Sequence, residues 1–317
     1  MFRFFIYKFF NTLSKPYETL NEDIFKKYIS DENLINEILI IKQFKYLWRK
    51  KIGNTISKEK FKIQNIKTNK ISNKYYLKVS VIHSFKLNNS NITSKELLKF
   101  NFLIKNKKIS FMKNKEYVLL DSSENFSSLF NRNQVSKLEL YSEKINNIDK
   151  LYIEYLKLLP NFKRSYTPEI SQNHNRSSAI SYARKYALNY NSKYKDFTDN
   201  GGDCTNFISQ CLAAGNVPLS KTWRPYSNTW IRVNELYYYL SRKSIGTPAS
   251  LDNTIHEGDI LQFFSNPKSF FDHSSIITKV LDNDLLYCCH TYDKLDFPLS
   301  EVYPIIYNKL RFLNINY

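Results

Sequence analysis

The sequence predicts an α+β protein of two domains. Three observations support this prediction. The chain has 317 residues, helical apolar patterns precede alternating strand patterns in both halves, and an aperiodic stretch separates the halves. A chain of this length exceeds the usual size of a single domain. The predicted organisation is an N-terminal α+β accessory domain over residues 1–158, a linker over 159–176, and a C-terminal domain over 177–317.

The composition is that of a folded protein with a strong excess of basic residues. Hydrophobic residues make up 42% of the chain and aromatic residues 16%, which excludes a disordered chain. The formal net charge of +18 favours anionic partners in general. The lysines are spread over every segment without a compact basic run, so we attribute them to compositional bias and predict no nucleic-acid partner.

Cysteine usage and the start of the chain bear on the compartment. Four cysteines, two of them the neighbours Cys288 and Cys289, do not have the spacing of a disulfide framework. The opening segment MFRFFIYKFFNTLSK is interrupted by Lys8 and has no small-residue cleavage site, so it is typical neither of a signal peptide nor of a membrane span. The sequence predicts a soluble chain without a transmembrane segment and favours the cytoplasm over the cell surface or secretion.

Helices followed by strands make up the predicted N-terminal domain. From Pro16 to Gly53 the apolar spacing is helical and predicts two helices, with Gly53 as the stop. The period then changes to two in Tyr75–Val81 and Leu98–Ile104, which predicts two neighbouring antiparallel strands. This element order resembles the cone-shaped domains of the nuclear-transport-factor-like superfamily.

A helix and a linker connect the two domains. A helical pattern over residues 145–159 ends at Pro160, and the following NFKRSYTPEISQNHNRSS has no periodicity. The C-terminal domain then opens with a helix for which Ser177 or Ser178 is the expected N-cap.

The segment GGDCTNFISQCLAAG predicts a turn followed by a helix. Gly201 and Gly202 allow backbone angles that other residues avoid, and Asp203 is a strong N-cap, so Cys204 begins the helix. The apolar spacing after Cys204 gives the helix one buried face, and Gly215 is the expected stop. That face comprises Phe207, Ile208, Cys211 and Leu212.

The position of Cys204 suggests a nucleophile. A thiol at a helix N-terminus lies at the positive end of the helix dipole, which lowers its pKa and favours the thiolate. The alternative, a small buried hydrophobe, applies to Cys211, which lies two turns further along the core face.

A catalytic thiol needs an imidazole partner, and His273 is the best-placed candidate. It precedes the apolar strand residues of SSIITKV, whereas His83, His174 and His256 each fit a strand, linker or turn position. His290 ends the next strand. With a two-residue loop at Asp282 and Asn283, His290 would pair with Ser275 and share the face of His273, whereas a three-residue loop would reverse it. We assign His290 as the third catalytic residue, with Asp293 as the alternative.

The cysteines also permit a metal interpretation, which the spacing disfavours. Cys204, Cys211, Cys288, Cys289 and His290 could be ligands, but no two thiols lie two or four residues apart, and neighbouring cysteines suit tetrahedral geometry poorly. We predict no metal and no cofactor.

These motifs together resemble a known family. GGDCTNFISQCL, the two tryptophans Trp223 and Trp230, GDILQF, DHSSIIT and CHTYD are similar to the putative amidase domain family, a papain-like group related to NlpC-type and CHAP amidases. The resemblance implies a nucleophile helix packed on an antiparallel sheet, with Cys204 attacking an amide and His273 protonating the leaving amine.

The functional prediction follows from this resemblance. We expect a cysteine amidase or peptidase that acts on a peptide or peptidoglycan-like substrate, with Asp203, Trp223 and Trp230 in substrate binding. Core packing is the alternative role for the two tryptophans. A non-catalytic peptide- or wall-binding module on the same fold is the alternative function, and a basic nucleic-acid or membrane-surface protein is a third hypothesis.

Overall fold

The structure is a computed structural model that describes residues 2–114, 137–159, 175–249 and 255–317. These residues form nine α-helices and ten β-strands, a mixed α+β architecture as predicted. The chain divides into two compact units, one of residues 1–93 and 97–150 and the other of residues 94–96 and 151–317. Most of the predicted linker, residues 160–174, lies outside the described residues. In the described ranges no helix has both the length and the apolar character needed to cross a bilayer.

Three helices, four strands and two more helices follow one another from the start of the chain. They are α1 (Phe2–Leu13), α2 (Glu22–Lys26), α3 (Glu32–Lys51), β1 (Ile56–Ile71), β2 (Lys74–Leu87), β3 (Thr93–Lys105), β4 (Lys108–Asn114), α4 (Lys137–Asn146) and α5 (Ile148–Leu156).

The first unit buries one face of a twisted sheet against its helices. β1 pairs with β2 antiparallel, β2 lies beside β3, and β3 pairs with β4 antiparallel. Side chains of Asn21 and Asp31 cap α2 and α3, which confirms the two predicted helices, and Gly53 has φ 74° after α3. The opening segment is α1, whose Ile6, Phe9 and Phe10 lie in this core.

The second unit holds four helices and six strands. They are α6 (Arg176–Tyr186), α7 (Cys204–Ala214), α8 (Asn228–Ile231), α9 (Val233–Arg242), β5 (Gly246–Ala249), β6 (Ile260–Ser265), β7 (Phe270–Val280), β8 (Leu285–Cys289), β9 (Lys294–Pro298) and β10 (Leu310–Ile315).

The strands of the second unit are ordered β9-β8-β7-β6-β10-β5, and each neighbouring pair is antiparallel. The strands predicted at SSIITKV and before His290 are confirmed as the antiparallel neighbours β7 and β8, and β6 pairs with the other edge of β7. The position of β10 between β6 and β5 was not predicted, because pairing between distant segments leaves no local pattern in the sequence.

Helix ends in the second unit differ in detail from the predictions. Asn175, rather than Ser177 or Ser178, is the N-cap of α6, since its side chain accepts from the Ser178 N–H at 3.0 Å. Gly215 does end α7, but with φ −80°. A Cβ on Gly215 would lie 2.7 Å from the Tyr317 ring, so close packing rather than a left-handed backbone requires glycine there. The left-handed residue is Asn216, with φ 64°.

Candidate active site

A glycine turn sets the start of α7 against the end of β8. Gly201 and Gly202 have φ 93° and 101°, as the sequence predicts. A Cβ on Gly202 would lie 3.2 Å from the Thr291 hydroxyl oxygen, and the Asp203 N–H donates to that same hydroxyl at 2.7 Å. The turn therefore brings Asp203 and Cys204 next to the residues that follow β8.

Asp203 is in the N-cap position but does not cap the helix with its side chain. Its carboxylate bonds none of the first-turn N–H groups of α7. One oxygen instead accepts from the Phe197 N–H at 2.9 Å and the Asn206 side chain at 2.8 Å. This corrects the expected capping role, and with 1% exposure the Asp203 side chain differs from the predicted substrate contact.

The other carboxylate oxygen of Asp203 binds His290. His290 Nδ1 lies 2.6 Å from Asp203 Oδ2, and Nε2 lies 2.9 Å from the Tyr186 carbonyl oxygen. Both ring nitrogens of His290 therefore lie within hydrogen-bond distance of oxygen atoms inside the protein. The ring is sandwiched between Tyr190 and Phe207, at centroid distances of 3.8 and 3.9 Å.

The register of β7 and β8 explains why His290 lies here. The Leu281 N–H bonds the Asp284 carbonyl, so the predicted two-residue loop is present. A bulge between Ile277 and Lys279 then shifts the pairing by one residue, and Cys288 lies opposite Ile276. Continuing this register places His290 on the face of Ser274, opposite to that of His273, so the expected pairing of His290 with Ser275 is wrong.

His273 is buried in an apolar setting. Its strand partner is Phe263, and its ring packs against Phe263 and Tyr292 at centroid distances of 5.6 and 5.7 Å. Burial, with smaller contributions from Lys294 and Lys268, lowers the pKa of His273 to about 3. The imidazole is therefore neutral across the physiological range.

Cys204 touches the backbone on both sides of His273. Its Sγ lies 3.9 Å from the Asp272 carbonyl oxygen and accepts the Ser274 backbone N–H. In the part of the chain that the structure describes, no hydrogen bond joins Cys204 and the His273 ring. Burial raises the pKa of the Cys204 thiol despite the bonds from Ser274 and Thr205, which is opposite to the lowering expected at a helix N-terminus.

A line of polar side chains leads to Cys204 across the sheet. The Arg311 guanidinium donates to Gln262 at 2.7 Å, and the Gln262 amide donates to the Ser274 hydroxyl at 3.0 Å. That hydroxyl lies 3.5 Å from the hydroxyl of Thr205, the residue after Cys204. Sequence analysis missed this line, although Gln262 interrupts an apolar strand in GDILQF and could have indicated it.

Asp293, the alternative third catalytic residue, lies at the other side of the aromatic sandwich. It accepts from the Tyr190 hydroxyl at 2.8 Å, and that hydroxyl also accepts from Thr198 at 3.1 Å. Asp293 thus supports the ring that covers His290.

The two tryptophans belong to the core. Trp223 and Trp230 are fully buried. The Trp230 indole N–H donates to Asn206 at 2.8 Å, and that of Trp223 donates to Ser209 at 3.2 Å. Their polar atoms are satisfied inside the protein, which differs from the predicted cleft and agrees with the alternative of core packing.

The remaining cysteines are also internal. Cys211, Cys288 and Cys289 are fully buried, whereas Cys204 is 7% exposed, and all four are free thiols. Among the residues that the structure describes, no group of three or more His, Cys, Asp or Glu side chains has the arrangement of a metal site.

Comparison with known proteins finds a family match for the C-terminal part of the chain. Uncharacterized protein YjcM of Bacillus subtilis is 27% identical over 183 residues, covering 52% of this chain and 44% of that protein. Uncharacterized protein YhbB of the same organism is 33% identical over 134 residues, covering 38% and 42%. The chain thus spans less than half the length of these curated relatives. No solved structure matches the chain. Residues 173–312 match the family model described as "Putative amidase domain", which confirms the resemblance of the C-terminal part of the chain to that family.

Proposed function

We propose that the second unit is a cysteine-dependent amidase or peptidase with Cys204 as its nucleophile. One observation carries this proposal: the Cys204 sulfur lies at the first turn of α7 and contacts the peptide groups immediately before and after His273. The match of residues 173–312 to a putative amidase domain supports hydrolysis of an amide bond.

The pair begins the reaction in its uncharged forms. Burial favours both the neutral thiol of Cys204 and the neutral imidazole of His273. We infer that His273 turns toward Cys204 when substrate is bound and accepts the thiol proton as the sulfur attacks the carbonyl carbon. His273 then gives that proton to the departing amine, and water releases the acyl group from sulfur.

The first turn of α7 supplies the oxyanion donor. Because the Asp203 carboxylate bonds His290, Phe197 and Asn206 and makes no bond to the helix N–H groups, the Cys204 backbone N–H serves the oxygen that becomes negative. His290, as the third residue of the site, acts by fixing Asp203 and with it the start of α7.

The finer fold and the substrate class complete the proposal. A nucleophile helix on an antiparallel sheet is consistent with a papain-like arrangement over residues 177–317. Amide bonds in peptides, those of bacterial cell walls in particular, are the substrate class that the family resemblance implies.

The test is hydrolysis of soluble peptidoglycan fragments by the full chain. Cys204→Ala should lower kcat/KM by about 10⁴-fold or more, and His273→Ala should lower it by at least about 10²-fold. Cys211→Ala is the matched control, since Cys211 lies two turns along the same face of α7, and it should retain activity. Turnover that persists in Cys204→Ala would end the proposal.

A binding module is the second candidate, and the protonation states favour it. A thiol with a raised pKa that makes no hydrogen bond to His273 is also the state of a cysteine that performs no chemistry. Peptide binding that is unchanged in Cys204→Ser and His273→Ala, with no turnover on any amide, would establish this function instead.

A further inference from the structure

The start of α1 and the tip of the β1–β2 hairpin lie side by side in the first unit. The Phe2 ring contacts the Tyr75 ring at a centroid distance of 4.8 Å, and Tyr75 pairs with Lys70 in the hairpin. The Arg3 guanidinium also reaches the Ile63 carbonyl of β1, at 3.4 Å. The helix therefore lies along the hairpin.

Large apolar side chains are exposed on these two elements. Phe4 is 64% exposed, Tyr7 49% and Ile71 52%. The opposite side of α1 packs against the core, where Ile6, Phe9 and Phe10 are buried. Folding of the unit thus accounts for one side of the helix and leaves aromatic rings on the other.

Basic side chains surround the exposed apolar ones. Arg3 and Lys8 share the exposed stripe of α1 with Phe4 and Tyr7, and the Lys8 ammonium lies 4.3 Å from the centre of the Phe4 ring. At the hairpin tip, Ile71 is flanked by two exposed lysines. We call these residues the tip patch: Arg3, Phe4, Tyr7, Lys8, Lys70, Ile71 and Lys74.

The two segments that carry the tip patch hold charge of a single sign. Residues 2–13 and 60–92 contain nine Lys or Arg residues and no Asp or Glu. Lys67 and Lys78 even lie directly opposite each other across β1 and β2, an arrangement that repulsion disfavours in an isolated sheet.

The combination of exposed apolar and basic side chains decides the kind of partner. A nucleic acid or another phosphate polymer would use the lysines but would leave Phe4, Tyr7 and Ile71 in water. A bilayer with anionic headgroups uses both, since lysines bind the headgroup layer while aromatic and aliphatic tips enter the boundary with the acyl chains.

We propose that the tip patch docks the first unit on the surface of an anionic lipid bilayer. The cations provide long-range attraction and the apolar tips provide the short-range hold, so binding needs both. This inference is independent of the chemistry proposed for the second unit.

The test is co-sedimentation of the full chain with vesicles of phosphatidylcholine and phosphatidylglycerol in equal amounts, against vesicles of phosphatidylcholine alone. We expect binding to the anionic vesicles that weakens as salt rises. Lys70→Gln with Lys74→Gln should weaken binding by about thirtyfold, and Phe4→Ser with Tyr7→Ser by about tenfold. Because all four side chains are exposed, each variant should keep the far-UV circular dichroism of the parent.

Two matched controls distinguish binding through the tip patch from non-specific binding to vesicles. Lys105→Gln with Lys108→Gln removes an exposed facing pair from the same sheet, and Leu219→Ser removes a side chain that is 56% exposed in the second unit. Both should bind as the parent does. If the control variants lose as much vesicle binding as the tip-patch variants, the proposal is overturned. It is also overturned if Phe4→Ser with Tyr7→Ser leaves vesicle binding unchanged and polyphosphate competes fully with the vesicles. If the parent chain self-associates but does not bind vesicles, and the tip-patch variants no longer self-associate, the patch contacts a second copy of the chain. That result would also overturn the proposal.

Discussion

The Asp203 carboxylate and the His290 imidazole form a buried pair, 2.6 Å apart, in which each side chain is 1% exposed. The pair joins the first residue before α7 to the first residue after β8. The Asp203 N–H makes a second link to Thr291, the next residue of that same segment. These two bonds set where Cys204 lies.

Breaking the pair should destabilise the protein strongly. We expect Asp203→Ala and His290→Ala each to lower the free energy of unfolding by about 1–3 kcal/mol, because each leaves a buried polar partner without its hydrogen bond. The double variant should cost far less than the sum, which urea unfolding of the four proteins measures. As a control, Lys26→Ala breaks exposed contacts with Glu22 and Asp23 and should leave the free energy of unfolding nearly unchanged. Strict additivity would contradict the coupling.

Alkylation should distinguish Cys204 from the other three cysteines. Cys204 is 7% exposed and the others are fully buried, so iodoacetamide should modify Cys204 first, as peptide mass spectrometry of the native protein would detect. Since burial raises the pKa of this thiol, its rate should still be rising at alkaline pH. A rate that levels off below neutral pH would instead reveal a preformed thiolate.

Acid should unfold the protein in part through His273. Its pKa is about 3 in the folded state and about 6.5 in the unfolded chain, so below pH 6.5 the unfolded state binds more protons. The contribution of His273 to the free energy of unfolding is fully present above pH 6.5 and is lost as pH falls toward 3, by an amount on the order of 5 kcal/mol. Urea unfolding as a function of pH measures this slope, which should flatten in His273→Gln.

Asp284 provides a control of opposite sign. Burial raises its pKa to about 6 despite bonds from Ser300 and the Leu285 N–H, and the unfolded value is about 3.9. The folded state therefore binds more protons in this interval, so Asp284 contributes stability that is present below the lower value and lost as pH rises through 6. Asp284→Asn should make the acid loss steeper. A shallower loss would contradict the assignment.

The two glycines before Asp203 should respond differently to alanine. Both have left-handed φ angles, so Gly201→Ala should cost about 1 kcal/mol through backbone strain alone. Its Cβ would meet nothing within 4 Å, whereas one on Gly202 would press on Thr291. Gly202→Ala should therefore cost more and also disturb the Asp203–Thr291 bond. Equal unfolding free energies for the two variants would argue against this contact.

Residues that mark turns and helix starts made much of this site predictable from the sequence. The pair Gly201–Gly202 followed by Asp203 marks a turn and a helix start whatever surrounds them, so α7 and the position of Cys204 on it were predictable. The apolar residues of β7 and the turn at Asp282 were equally local, and they predicted the strands that carry or precede His273 and His290.

The features that were not predictable depend on contacts distant in sequence. The bulge near Thr278 reverses the side of His290 and has no signature in SSIITKVL. The sequence around Trp223 and Trp230 fits a cleft as well as a core. Only their burial and their hydrogen bonds to Ser209 and Asn206 distinguish the two positions. Aspartate is a residue type that commonly caps helices, yet the carboxylate of Asp203 contacts His290, 87 residues later in the chain.

The placement of β10 between β6 and β5 has a consequence for biosynthesis. While the ribosome is still making residues 310–315, β5 and β6 have already emerged but lack the neighbour that lies between them. Each then presents a row of unpaired peptide groups on the side that β10 will fill. Until this late segment has been made, β5 and β6 cannot complete their pairing, and their edges are open to other strands.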